Sequence, residues 1–196
     1  QGQVLWEMDA SLKPGIHRTS WNLGEDLALI DEGIVRDRYA GRLKVPPGEY
    51  FVSLIGNQTT LDRRNITVLQ DPRLSITDGQ TNICYEYIHR LGIKMNYLRS
   101  VLDEMEEIRG YVSGNYKSKK AEKIISMIDE VNFRIVPDGM SPDGMNILPR
   151  MNWLFNQVRK NSDQPTIAQK EWIDFLIDES EKVLEDWKEL LKDIKN

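Results

Sequence analysis

One cysteine and two histidines in 196 residues leave little material for a metal centre, a disulfide framework or a histidine-dependent catalytic pair. Cys84 has no partner for an intramolecular disulfide, and it falls on the apolar seam of a predicted helix, where a thiol acts as a small core residue. A lone cysteine does not fix the compartment, since the oxidising-compartment argument applies to cysteine-rich small domains. Long hydrophobic runs are also missing. No stretch of about 18 apolar residues occurs, so no segment is expected to insert in a membrane. Positive charge is in deficit: 26 Lys and Arg against 31 Asp and Glu give a net charge of -5. That balance argues against nucleic acid as a partner, because phosphate binding draws its affinity from cations that displace counterions. The densest basic run, Lys117, Lys119, Lys120 and Lys123, is interrupted by Ser118 and Glu122 and reads as a solvated helix face.

What is present is a change of period at Asp71-Pro72-Arg73. Before it, apolar residues alternate, as in Glu49-Tyr50-Phe51-Val52-Ser53-Leu54; after it they recur every three or four positions. Two modules are expected, residues 1–74 and residues 75–196, giving an α+β chain. In the first, Val4–Met8, Ile16–Trp21, Arg42–Val45, Tyr50–Ile55, Thr59–Leu61 and Asn65–Leu69 read as short strands. Lys13-Pro14-Gly15, Pro46-Pro47-Gly48 and Gly56-Asn57 supply turns, and Gly24–Asp37 reads as a long acidic connection. Short strands at this spacing predict a β-sandwich, which the family resemblance given below makes an Ig-like one with an incomplete edge.

The second module predicts an antiparallel four-helix bundle. Its first helix spans about Gln80–Arg109 with Thr77 or Asp78 as cap, and carries Cys84, Ile88, Leu91, Met95, Leu98, Leu102 and Met105 in a 4-3 repeat. Ala121, Ile124, Ile128 and Val131 form a second stripe; Leu148, Met151, Phe155 and Val158 form a third. The last helix bears Ile173, Leu176, Ser180, Val183, Trp187, Leu190 and Ile194, entered through a Thr166/Gln169 capping box. Loops are expected at Gly110–Asn115, Pro137–Met145 and Asn161–Gln164.

Neither module shows a clustered nucleophile, acid/base pair or ligand set. His17 beside Trp21 reads as structural, with no titratable companion at a matching position. Asp103, Glu104, Glu106 and Glu107 point around one helix and lack the opposing wall that glycoside hydrolysis needs, so they read as a solvated face near Arg99 and Arg109. Trp153, Trp172 and Trp187 lie on or beside helical stripes and are expected to pack. The sequons Asn57-Gln58-Thr59 and Asn65-Ile66-Thr67 read as chance. A contact surface is expected at Trp6, Trp21, Met140 and Met145, the methionines coming from a doubled Pro-Asp-Gly-Met. Gln1-Gly2-Gln3-Val4 runs straight into an apolar strand without an initiator Met, and a segment of a longer polypeptide is expected.

Pro14-Gly15-Ile16-His17-Arg18 leading to Trp21-Asn22-Leu23, then Val45-Pro46-Pro47-Gly48-Glu49-Tyr50, resembles the small Ig-like domain of the flagellar-hook-capping type. With Val68-Leu69-Gln70-Asp71-Pro72-Arg73 and a long helix after it, the whole resembles the C-terminal region of bacterial sortilin-like proteins with BNR/Asp-box repeats, a glycosyl-hydrolase-related group. The resemblance implies a non-catalytic accessory module, without cofactor, at the end of an exported bacterial protein at the periplasm or cell surface. The implied partner is an upstream β-propeller of the same polypeptide, with another cell-surface protein or a glycan as further partners. The alternative it carries is part of a glycoside hydrolase or a carbohydrate-binding module.

Overall fold

The computed structural model describes residues 3–11, 13–25, 43–116, 118–136, 146–160 and 164–195. The described chain is mostly helical. It comprises β1 (Gly24–Glu25), β2 (Leu43–Lys44), β3 (Gly48–Gly56), β4 (Thr59–Val68), α1 (Asp78–Asn115), α2 (Lys119–Ile135), α3 (Ile147–Lys160) and α4 (Ile167–Lys195).

Among the described residues the expected Ig-like sandwich is not formed. Two separate two-stranded antiparallel sheets stand in its place, β1 with β2 and β3 with β4. Val4–Met8 and Ile16–Trp21 have the alternation of strands, yet neither joins a ladder, and Ile16 is 96% exposed. Alternation encodes only which side of a ribbon is apolar; a strand forms where a neighbour supplies hydrogen bonds and a covered face. The segments expected as two strands at Thr59–Leu61 and Asn65–Leu69 are a single strand, because β3 and β4 pair continuously from Gly48↔Val68 to Gly56↔Thr59. Asn57 and Gln58 form the hairpin tip with φ of 50° and 61°, as a two-residue turn between twisted strands requires. A register shift at Leu54/Ile55 leaves Leu61 as the extra residue.

The helices follow their stripes. Thr77 caps α1 in a capping box: its side chain accepts from the Gln80 amide at 3.2 Å, and Gln80 Oε1 accepts from the Thr77 amide at 2.8 Å. The Thr166/Gln169 pair does the same for α4 at 2.9 and 3.2 Å. Ile88, Leu91, Met95, Leu98 and Met105 of α1 meet Ile128 and Val131 of α2, Met151, Phe155 and Val158 of α3, and Ile173, Leu176, Val183, Trp187 and Leu190 of α4 in one buried cluster. Ser180 interrupts the α4 seam without a penalty, since its hydroxyl donates to the Ile177 carbonyl at 2.6 Å. Asn146 donates from its side chain to the Phe133 carbonyl in the last turn of α2, filling an acceptor that the helix end leaves open.

Helix α1 outruns its expected end by six residues, through the segment expected as a loop at Gly110–Asn115. A glycine in a helix interior costs about 1 kcal/mol against alanine. Val112 lies seven residues beyond Met105 on the same face and is buried, and its packing outweighs Gly110 and Gly114. Leu43 of β2 belongs to the same core cluster as the helices, so β1–β2 is attached to the helical body. The β3–β4 hairpin is different. Only Val68 at its base is buried, and both faces are otherwise largely exposed.

Candidate functional site

The β1–β2 pairing places one carboxylate where a carboxylate is expensive. Glu25, paired with Leu43, is fully buried at 0% exposure. Local geometry holds it there. Leu23 adopts a left-handed φ of 57°, Asn22 Oδ1 accepts from the Gly24 amide at 3.0 Å, and Trp21 Nε1 donates to the Gly24 carbonyl at 2.8 Å. Removing an ion from water costs several kcal/mol unless donors replace the solvent. Three do so. Tyr85 donates its hydroxyl to Oε2 at 2.6 Å, His89 Nε2 lies 3.2 Å from Oε1, and Gln3 Nε2 reaches Oε1 at 3.5 Å.

Tyr85 and His89 are four residues apart on α1, hence neighbours on one face, and their rings stack at 5.2 Å and 25°. Tyr50 closes the group from β3. Its hydroxyl donates to the Pro46 carbonyl at 2.6 Å and its ring meets Trp21 edge-on at 5.8 Å. Burial raises the Tyr85 phenol far above its ordinary 10.0, and the hydrogen bond to Glu25 and that residue's charge add to the effect. Burial, then the Glu25 charge, raises Tyr50 in the same direction. Among the described residues, no buried side-chain N or O lacks a hydrogen-bond partner. Glu, His and Tyr are the raw material of acid–base chemistry, but this carboxylate has both oxygens engaged and no exposure through which to meet a substrate. What it does is clamp the N-terminal segment, β1 and α1 together.

Glu25 and His89 were not legible as a pair. Glu25 falls in what reads as an acidic connection, and the one available signal was the Tyr85/His89 spacing of four on a predicted helix. Of the expected contact residues, Trp6 is half-buried in the N-terminal segment, and Trp21 is half-buried and engaged with Gly24 and Tyr50. Met140 and Met145 lie outside the described residues. His17 Nε2 meets the Lys13 carbonyl at 2.6 Å across the Pro14-Gly15 turn. Asp103, Glu104, Glu106 and Glu107 are exposed; Glu104 accepts from Trp187 Nε1 at 3.0 Å, and Arg109 reaches Glu106 at 3.7 Å and Asp129 at 3.2 Å.

The helical tryptophans divide. Trp187 is in the core, as its stripe requires. Trp153 and Trp172 are 54% and 40% exposed and meet edge to face at 5.8 Å, contrary to the packing expected of them. The Arg150 guanidinium lies 5.7 Å from the Trp172 ring and 5.8 Å from that of Phe175. An open depression of about 520 Å³ at the α1–α2 corner, between Ser113, Tyr116, Lys119 and Glu122, involves none of these residues.

Comparison with protein-family models, with curated proteins and with solved structures finds no match.

Proposed function

We propose that this chain is a non-catalytic accessory module that packs against, and positions, a neighbouring part of a longer polypeptide. The observation that carries the reading is the β3–β4 hairpin. Phe51, Val52, Leu54, Ile55 and Leu61 are 50–65% exposed on a two-stranded ribbon, an arrangement that is marginal in water without a covering layer. Tyr50, Val52 and Leu54 of β3 share a face with Ile66 and Val68 at the base of β4, and toward the tip the same face carries Arg64 and Asp62, paired with each other at 3.0 Å. The Glu25 clamp fits the same role, since it fixes the root of the hairpin to α1 and holds no open chemistry.

The sortilin-like resemblance supplies the neighbour, a β-propeller upstream in an exported bacterial protein. Amide exchange decides the matter. Amides of β3 and β4 should exchange readily in the 196-residue chain at dilutions where it is monomeric and become protected when the chain is joined to its neighbouring domain; equal exchange in both removes the proposal. Among the described residues, no helix is long and apolar enough to cross a membrane.

A glycan-binding reading draws support from Trp153, Trp172 and Arg150 rather than from Trp6 and Trp21. Two exposed rings at 63° make a floor and a wall for a sugar face, and the guanidinium supplies donors. Glycan-array binding lost in Trp153→Ala with the helical signal intact would favour it. Glycan hydrolysis by this chain, abolished by Glu25→Gln in a folded variant, would restore an enzymatic role.

A further inference from the structure

The two outer edges of the hairpin are not alike. β4 carries Asp62, Arg63 and Arg64 in succession, next to the bulge at Leu61. Charges and bulges are how sheet edges are kept from pairing with another chain. β3 has neither protection. From Tyr50 to Ile55 it runs Tyr-Phe-Val-Ser-Leu-Ile, with no charge and no proline, and its large apolar residues at the tip are half exposed or more. Among the described residues no other strand lies beside it.

We propose that β3 pairs with β3 of a second copy of this chain, making a four-stranded antiparallel sheet in the order β4, β3, β3 of the second copy, β4 of the second copy. A two-fold axis normal to the sheet keeps each face on its own side, which requires residues of the same parity to stand opposite one another. Centred on Ser53, the pairing sets Ser53 against Ser53, Val52 against Leu54, and Phe51 against Ile55 of the second copy. Phe51 with Ile55 is the aromatic–β-branched combination that stabilises cross-strand pairs. No charged side chain enters this register, so two chains of net charge -5 meet here without a local like-charge contact. The arrangement also stops at two copies. Once the β3 edges are consumed, the free edges are those of β4 with Asp62, Arg63 and Arg64, and no filament grows.

This inference rests on the hairpin being a contact surface, and the experiment separates the two ideas. Sedimentation equilibrium of the 196-residue chain from micromolar to several hundred micromolar should show a concentration-dependent rise from 22.8 kDa toward twice that mass. Ser53→Glu faces Arg63 across β3–β4, so the hairpin keeps a favourable pair, while at the axis it sets two carboxylates against each other. The variant should dissociate at least about tenfold more readily with an unchanged helical spectrum. Mixing it with Ser53→Lys should restore a heterodimer. A monomer throughout the range, or a dimer indifferent to Ser53→Glu, overturns the pairing. A monomer whose hairpin still binds an apolar dye leaves the contact-surface reading standing; a monomer with β3 amides already protected defeats both.

Discussion

Replacing Tyr85 with Phe deletes one hydroxyl and almost no volume, which makes it the sharpest probe of the Glu25 clamp. The hydroxyl donates at 2.6 Å to Oε2 of a carboxylate that has no exposure, so water does not refill the position. Hydrogen bonds to charged groups are worth about 1.5–3 kcal/mol, and a buried acceptor left without its donor incurs its desolvation cost. We expect a loss of about 2 kcal/mol, read as a lower urea midpoint at unchanged slope and a melting point lower by about 4–8 °C for a chain of this size. In a double-mutant cycle with Glu25→Gln the two changes should couple by about 1 kcal/mol or more. The alkaline limb supplies an independent check. Tyr85 keeps its proton more firmly in the folded state than its ordinary 10.0, so its contribution is fully present below about pH 10 and is lost as pH rises toward the folded value. Wild-type stability should fall above pH 10, and the deficit of Tyr85→Phe should shrink there. A cost below about 0.5 kcal/mol, with no change in the alkaline limb, would refute the clamp.

Further outcomes follow from the same geometry. Trp187→Ala should cost about 3–5 kcal/mol in chemical unfolding, because a buried indole is lost from the α1–α4 seam together with its bond to Glu104. Gly110→Ala and Gly114→Ala should each stabilise the chain by about 0.5–1 kcal/mol, since an added Cβ meets nothing at either site and both lie within α1; a loss of melting temperature in either would contradict the helical path to Asn115. Arg73 hydrogen-bonds the Asp71 carboxylate through its side chain and backbone and lowers it to about 2; a carboxylate titration followed by NMR should place it there in wild type and higher in Arg73→Gln, yet still below the ordinary 3.8 because the backbone amide of residue 73 keeps donating. The stabilisation from that lowering is present above the unfolded value and fades as pH falls toward 2; with both side chains at the surface, the melting temperature should barely respond.

The helical part was legible because its information is local and repeated. Every apolar residue of the α4 seam from Ile173 to Leu190 is buried where a period of three and four puts it, and Thr77 and Thr166 mark their helix starts by side-chain chemistry within one turn. The strand segments were less so. Ile16–Trp21 and Tyr50–Ile55 show the same kind of alternation, yet only the second found a partner, through the Asn57-Gln58 turn that brings Thr59–Val68 back alongside. Trp153 and Trp172 show the limit for helices: neighbourhood to a stripe does not say on which side of its edge a ring falls.

What the sequence settled alone is the change of architecture after Asp71-Pro72-Arg73, the four helices with their buried faces, and a strand over Tyr50–Ile55 that ends in a turn. Periodicity, caps and turn residues act over one or two turns of chain, and that reach suffices for such elements. The tertiary structure alone decided that the described strands close no sandwich, that β2 joins the helical core through Leu43, and that Glu25 is sealed beneath Tyr85 and His89. Those outcomes depend on partners 60 and 64 residues away or on a covering surface, and the free energy of burying a group is set by whatever arrives opposite it.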